Sequence, residues 1–140
     1  MCGLAGFLQA NGLGSDPACE LAAHMGERIA HRGPNDGGVW ADADAGFALA
    51  HRRLSILDLS PQGHQSMVSR CGRYVIAFNG EYNFAAIRDE LEQTGVAPAW
   101  RGHSDTEVML VAIAAWGAGG GAEAIRRHED FYEGLLANAR

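Results

Sequence analysis

Apolar and polar positions alternate and recur in a way that predicts both strands and helices. Leu4 to Leu8 (LAGFL) is short and apolar and reads as an opening strand. Asn11 to Ser15 is a Gly-rich turn, and Asp16-Pro17 reads as a helix start, with Asp16 as N-cap and Pro17 at the first helical position. Leu21, Met25 and Ile29 recur every fourth residue and predict an apolar stripe, which Gly33-Pro34 ends. Val39-Trp40, Phe47 to Ala50 and Leu54 to Leu57 are strand candidates. Tyr74 to Phe78 (YVIAF), β-branched and aromatic, is the clearest strand and stops at Asn79-Gly80. A helix is expected over 84–93, with Ile87 and Leu91 on one face. Ser104-Asp105-Thr106-Glu107 has the form of a capping box and starts an apolar helix running to Trp116. Beyond it, Gly117 to Gly121 (GAGGG) reads as a flexible linker, and 122–137 as one last helix with Ile125, Phe131, Leu135 and Leu136 apolar.

Composition narrows the classes. The 140 residues suit one domain, with 47% apolar and 20% charged residues, close to globular averages. A net charge of −6 argues against a nucleic-acid binder, which carries a basic stripe. No uninterrupted apolar run approaches the ~20 residues of a membrane span, and Met1-Cys2-Gly3-Leu4 lacks the basic start of a secretory signal. The three cysteines, Cys2, Cys19 and Cys71, form neither a disulfide framework nor a zinc pair, so free thiols in the cytoplasm are expected. His51, His64 and His103 do not fall at metal-ligand spacing, and no metal is expected.

Cys2 follows the initiator Met. Removal of Met1 would leave a thiol beside its own α-amine, whose ordinary pKa of ~7.7–8.0 lets it accept the thiol proton near neutrality. N-terminal nucleophiles use this built-in base. Alone, a second-position Cys is more often a small buried hydrophobe, and Asn79-Gly80 alone is an ordinary turn.

Taken together, Cys2-Gly3-Leu4-Ala5-Gly6, the run from His31 to Gly38 (HRGPNDGG), the run from His51 to Asp58 (HRRLSILD), Gly63-His64-Gln65, Asn79-Gly80-Glu81 and Ser104-Asp105-Thr106-Glu107 stand in an order and spacing that resembles the glutaminase domain of class II glutamine amidotransferases, asparagine synthases in particular. The resemblance covers residues 1–116, with 117–140 a divergent Gly/Ala-rich segment. It implies an N-terminal-nucleophile hydrolase fold, a four-layer αββα sandwich with antiparallel sheets, here incomplete at the C-terminus.

The resemblance also implies a chemistry. Cys2 attacks the side-chain amide carbon of glutamine, and Asn79 and Gly80 form the oxyanion hole. Arg53 clamps the α-carboxylate, Asp105 with Glu81 holds the α-ammonium, and Leu54 and Ile56 support the pocket. His31 with Arg32 and Gly33 shapes a loop rather than supplying a base, and Arg52 is a surface residue. Glutamine is the implied substrate. No cofactor is implied on this chain, since ATP and Mg belong to a synthetase domain that follows in the family. The other reading is an inactive remnant or a glutamine-binding interaction module.

Two departures from the family pattern carry expectations. One residue is missing after Glu81, where the family reads Asn-Gly-Glu-Ile-Tyr-Asn, which would turn the following helix by ~100°. The strands expected after Trp116 are replaced, which predicts open sheet edges and association with a separate synthetase polypeptide or a second copy.

Overall fold

The structure, a computed structural model, describes residues 1–10, 12–56, 58–80 and 82–127. It is α+β with antiparallel sheets. The elements run β1 (Gly3–Leu8), α1 (Ser15–Arg28), β2 (Asp36–Asp42), β3 (Phe47–Arg53), β4 (Met67–Val68), β5 (Val75–Ile76), α2 (Ala85–Gln93) and α3 (Asp105–Arg127). β3 is the centre of a three-stranded sheet in the order β1-β3-β2, while β4 and β5 form a two-stranded sheet. Leu4 lies opposite His51, and Gly38 lies opposite His51 on the other side.

Helix α1 packs on one face of the first sheet, but not through the expected stripe. Its buried residues are Ala18, Ala22 and Gly26, whereas Leu21 is 44% exposed. The reason is closeness. A Cβ placed on Gly26 would sit 3.0 Å from the Ala50 Cβ. The seam of Ala18, Ala22, Ala48 and Ala50 lets helix and sheet approach until larger side chains are pushed to the rim. The helix opens at Ser15 with Gly14 at the cap, so Asp16 sits in the first turn, where the helix dipole favours it, and is not the N-cap.

The second core joins Tyr82, Ile87, Leu91, Val108, Met109 and Ala112, with Phe78, Trp100 and Ile125 packed around it. Ile87 and Leu91 are fully buried, so the shorter turn before α2 has not rotated its apolar face out of the core. Ser104 accepts the Thr106 N–H at 3.2 Å, but Glu107 does not close a capping box. Its carboxylate takes the backbone N–H of Arg101 and of Gly102 and pairs with the Arg101 guanidinium at 3.2 Å.

Helix α3 breaks at Gly117 (φ 76°, ψ 167°), a backbone conformation that glycine tolerates. The Gly-rich run read as a linker is helical beyond that break. A Cβ on Gly121 would meet the Ile113 backbone N at 3.1 Å, so the second half folds back on the first and buries Ala124. Of the last helix expected over 122–137, the part from residue 128 onward lies outside the described residues. The segment Asp105–Arg126 has the length and mean apolarity of a membrane-crossing helix, but it breaks at Gly117 and folds back on itself. Its first turns are core: Val108, Leu110 and Ala112 are buried.

Two strand expectations shrink for one physical reason. β3 stops at Arg53, because the Leu54 N–H and C=O face the Cys2 sulfur; Leu57 lies outside the described residues. β5 keeps only Val75–Ile76, because the Phe78 N–H goes to the Gln65 side chain and its carbonyl to His51. Side chains replace the ladder at both places.

Candidate active site

The site lies where the two cores meet. On its first side, β1 begins directly after Cys2. The Leu54 N–H donates to the Cys2 Sγ at 3.4 Å, and the thiol faces the Leu54 carbonyl at 3.8 Å. Met1 is 77% exposed, open to removal by an aminopeptidase. The pairing of Gly3 with Arg52 places Cys2 beside Arg53 in register.

Arg53 is buried, and its guanidinium enters the loop that follows β3. Nη1 donates to the Ser60 carbonyl at 3.1 Å and Nη2 to the Asp58 carbonyl. Three of its five N–H donors remain for a ligand. A cleft of about 510 Å3 opens here, lined by Asn35, Asp36, Arg53, Ser55, Ser60 and His64. His64 Nδ1 lies 2.8 Å from the Asp36 carboxylate. Burial raises the Asp36 carboxyl, but the hydrogen bond from His64, the Gly37 N–H and the charges of His64 and Arg53 outweigh it and hold it below the ordinary range. Asn35 fixes the wall by taking the Ser55 N–H on its Oδ1 at 3.0 Å, while its own N–H donates to the Arg53 carbonyl at 3.1 Å.

Asp58 organises the Arg53 loop. It takes the Ser60 hydroxyl and N–H on one oxygen and the His103 N–H on the other. Burial raises its carboxyl, and these hydrogen bonds with the Arg53 charge bring it below the ordinary value. A depressed carboxyl contributes stability that is complete above its unfolded pKa of ~3.9 and is lost as pH falls through the lowered folded value. Asp58→Asn is therefore expected to lower the melting temperature at pH 7 and to flatten its fall in acid. Melting curves from pH 7 to pH 2 check this, and parallel acid limbs for both proteins would refute it.

On the second side, Asn79 and Gly80 follow Phe78, and a Cβ on Gly80 would strike the Phe78 ring at 2.7 Å. Glu81 lies outside the described residues. Tyr82 is buried and donates its hydroxyl to the Asp105 carbonyl at 2.7 Å. Burial and the Asp105 charge push its phenol far up, so it remains a donor. Asp105 starts α3, buried, with its Oδ1 accepting the Thr106 N–H at 2.6 Å. Ile56 is 61% exposed and follows Ser55, which lines the cleft. Arg52 is half-buried: its guanidinium covers Gly37, and its Nε is buried without a partner, so it is not the surface residue expected.

Sequence reasoning assigned no role to Asp36, His64, Asp58 or Gln65, although each stands inside a quoted motif. The signal available was the glycines. Cβ atoms at Gly33, Gly38 and Gly63 would lie 2.3, 1.9 and 1.9 Å from Arg52, Gln65 and Arg53 atoms respectively, so each marks a close approach in the site. A second cleft, about 250 Å3, lies between Cys71, Val96, Arg101 and Leu110. The Ser69 hydroxyl beside Cys71, with backbone N–H support, holds that exposed thiol below the usual range.

Residues 1–127 match the glutamine amidotransferase domain family. The chain is 39% identical over 112 residues to asparagine synthetase [glutamine-hydrolyzing] 1 of Bacillus subtilis, covering 79% of this chain and 17% of that protein. It is 36% identical over 132 residues to a putative asparagine synthetase [glutamine-hydrolyzing] of Mycobacterium tuberculosis, covering 84% and 20%. It is 31% identical over 131 residues to amidase chry2 of Gibberella zeae, covering 84% and 18%. The chain thus spans a fifth or less of the length of these relatives. With Cys2 opening β1, a buried Arg53 beside it and the match running through α3, the chain belongs to the glutamine amidotransferase domain family.

Proposed function

We propose that this chain hydrolyses glutamine to glutamate and ammonia. The observation that carries the reading is Cys2 at the start of β1, its sulfur accepting the Leu54 N–H next to the Arg53 cleft. After removal of Met1, the α-amine of Cys2 takes the thiol proton. The thiolate attacks the amide carbon, a C–S bond forms, and Asn79 and Gly80 donate to the developing oxyanion. The C–N bond then breaks as the α-ammonium returns the proton to the leaving ammonia. Water hydrolyses the thioester to glutamate and restores the thiol. Donors aimed at an oxyanion are typically worth ~2.7–4 kcal/mol each. Arg53 and Asp105, with Glu81, hold the substrate's carboxylate and ammonium, while Leu54 and Ile56 bound its side chain.

The finer architecture we infer is the four-layer sandwich of N-terminal-nucleophile hydrolases. Its support is the layering of α1 on one face of the first sheet and the packing of α3 against β4 and β5. The ammonia acceptor is an ATP-activated carboxylate bound by a synthetase unit in the cytoplasm. A phosphate loop does not fit the Gly117 to Gly121 run, which lacks the Lys-Ser/Thr such loops need and is helical past Gly117. The rival reading, a glutamine-binding module completed by a partner, draws on one observation. Leu4 and Leu8, facing away from α1, are 44% and 73% exposed.

Intact-mass spectrometry before and after 6-diazo-5-oxo-norleucine decides between enzyme and module. The expected result is loss of Met1 and one adduct on Cys2, blocked by excess glutamine. A plain alkylating reagent should instead favour the exposed Cys71. Retained Met1, or an adduct spread over Cys19 and Cys71, would refute the enzyme reading. For the Arg53 clamp, Arg53→Lys loses the fork that a carboxylate matches. It is expected to raise KM for glutamine about tenfold, ~1.4 kcal/mol, with kcat little changed. Steady-state kinetics on glutamine check this, and an unchanged KM would remove Arg53 from the substrate.

A further inference from the structure

Gln65 is buried, and its side chain spans the two sides of the site. Its Oε1 accepts the Phe78 N–H at 2.6 Å, and its Nε2 donates to Thr106 Oγ1 at 3.0 Å. The Thr106 hydroxyl in turn donates to Asp105 Oδ1 at 3.2 Å. One directional chain of donors thus runs from the residue before Asn79 to the carboxylate proposed to hold the substrate ammonium. The Phe78 carbonyl is taken on the other side by His51 Nε2 at 3.3 Å. His51 is fully buried, two residues before Arg53 and opposite Leu4. Burial holds its ring below the usual histidine range, so it is neutral and Nε2–H donates, while Nδ1 has no partner.

Resting on the glutaminase reading, we propose that Gln65, with His51, is a positioning residue for glutamine hydrolysis, clamping Phe78 by its N–H and its carbonyl so that Asn79 and Gly80 are set relative to both Arg53 and Asp105. The Phe78 ring lies over Gly80, so fixing Phe78 fixes Gly80 as well. Downstream, the Tyr82 hydroxyl on the Asp105 carbonyl pins the other end of the same short turn. Both anchors flank Asn79 and Gly80, which accounts for how a turn one residue shorter than the family's can keep its donors in place. Buried polar chains of this kind rigidify when every member is satisfied.

Gln65→Leu strands two buried partners and risks the fold, so the deciding pair is Thr106→Val and Thr106→Ser. The first removes the acceptor of the Gln65 amide with little change in shape, and the second restores it. The readouts are hydrogen exchange at the Phe78 amide and the kcat and KM of glutamine hydrolysis. In Thr106→Val, Phe78 exchange is expected to quicken about tenfold and kcat to fall about tenfold, with KM changed far less. Thr106→Ser should recover both. Equal Phe78 exchange in wild type and Thr106→Val overturns the proposal, as does a freed Phe78 amide with kcat unchanged. A wild-type chain that does not hydrolyse glutamine refutes the glutaminase reading alone. Protection of Phe78 lost in Thr106→Val and regained in Thr106→Ser then still supports the clamp, and equal protection in all three overturns it.

Discussion

Cys2→Ala is expected to abolish glutamine hydrolysis, a loss on the order of 10^6-fold in kcat. A thiolate is required to form the C–S bond, and none of the described residues around Cys2 replaces it. Cys19 lies on α1 and Cys71 is exposed on the loop between β4 and β5. The fold should tolerate the change, because Cys2 is only half-buried, precedes β1 and, among the described residues, makes weak sulfur hydrogen bonds with Leu54 alone. Stability within about 0.5 kcal/mol of wild type is therefore expected. Ammonia release coupled to a glutamate assay, with a melting curve on the same preparation, tests both halves. Residual hydrolysis within tenfold of wild type would place the nucleophile elsewhere. A collapse of the fold would make Cys2 a structural residue.

How much of this was readable in the chain differs from element to element. β1, β3 and the start of α3 carry strong local signals, and the structure has them within a few residues of the expected positions. The stripe on α1 misleads because spacing by four fits two faces of one helix. Large residues marked one face, but the Ala/Gly seam facing Ala48 and Ala50 won the core by close approach. Strand propensity over Leu54 to Leu57 and at Phe78 was overridden by side chains from far along the chain, Cys2, Gln65 and His51, which no local window contains. In the candidate site, Cys2 and Arg53 are proposed from chemistry and motif, and the strand register sets them side by side. The partners that hold the loops, Asp58, His64 and Gln65, were not legible in the sequence. Their roles depend on contacts across 13 to 45 residues, as with Gln65 to Phe78, His64 to Asp36 and His103 to Asp58.

Gly38→Ala is expected to cost stability and turnover together, and Gly63→Ala is the control that separates them. On Gly38 a Cβ would sit 1.9 Å from the Gln65 carbonyl oxygen and 2.8 Å from His64 Nε2. The first obstacle is backbone and can clear the new atom only by retreating more than ~1 Å toward a contact near 3.5 Å. Overpacking of this kind costs ~1–3 kcal/mol. Because Gln65 carries Phe78, the retreat displaces Asn79 and Gly80, and a shift of ~1 Å can cost ~100-fold in rate. On Gly63 a Cβ would also lie at 1.9 Å, but from Arg53 Nη2, the far end of a flexible side chain. That guanidinium can shift only by loosening its bonds to the Ser60 and Asp58 carbonyls, so Gly63→Ala should lose less stability than Gly38→Ala and should lose affinity for the substrate carboxylate. The pair is distinguished by melting temperature and by which kinetic constant moves: a lower Tm and kcat for Gly38→Ala, a higher KM for Gly63→Ala. If Gly38→Ala melts and turns over as wild type does, the Gln65 backbone does not rest on β2, and the path from the first sheet to the Asn79 turn is not the one described.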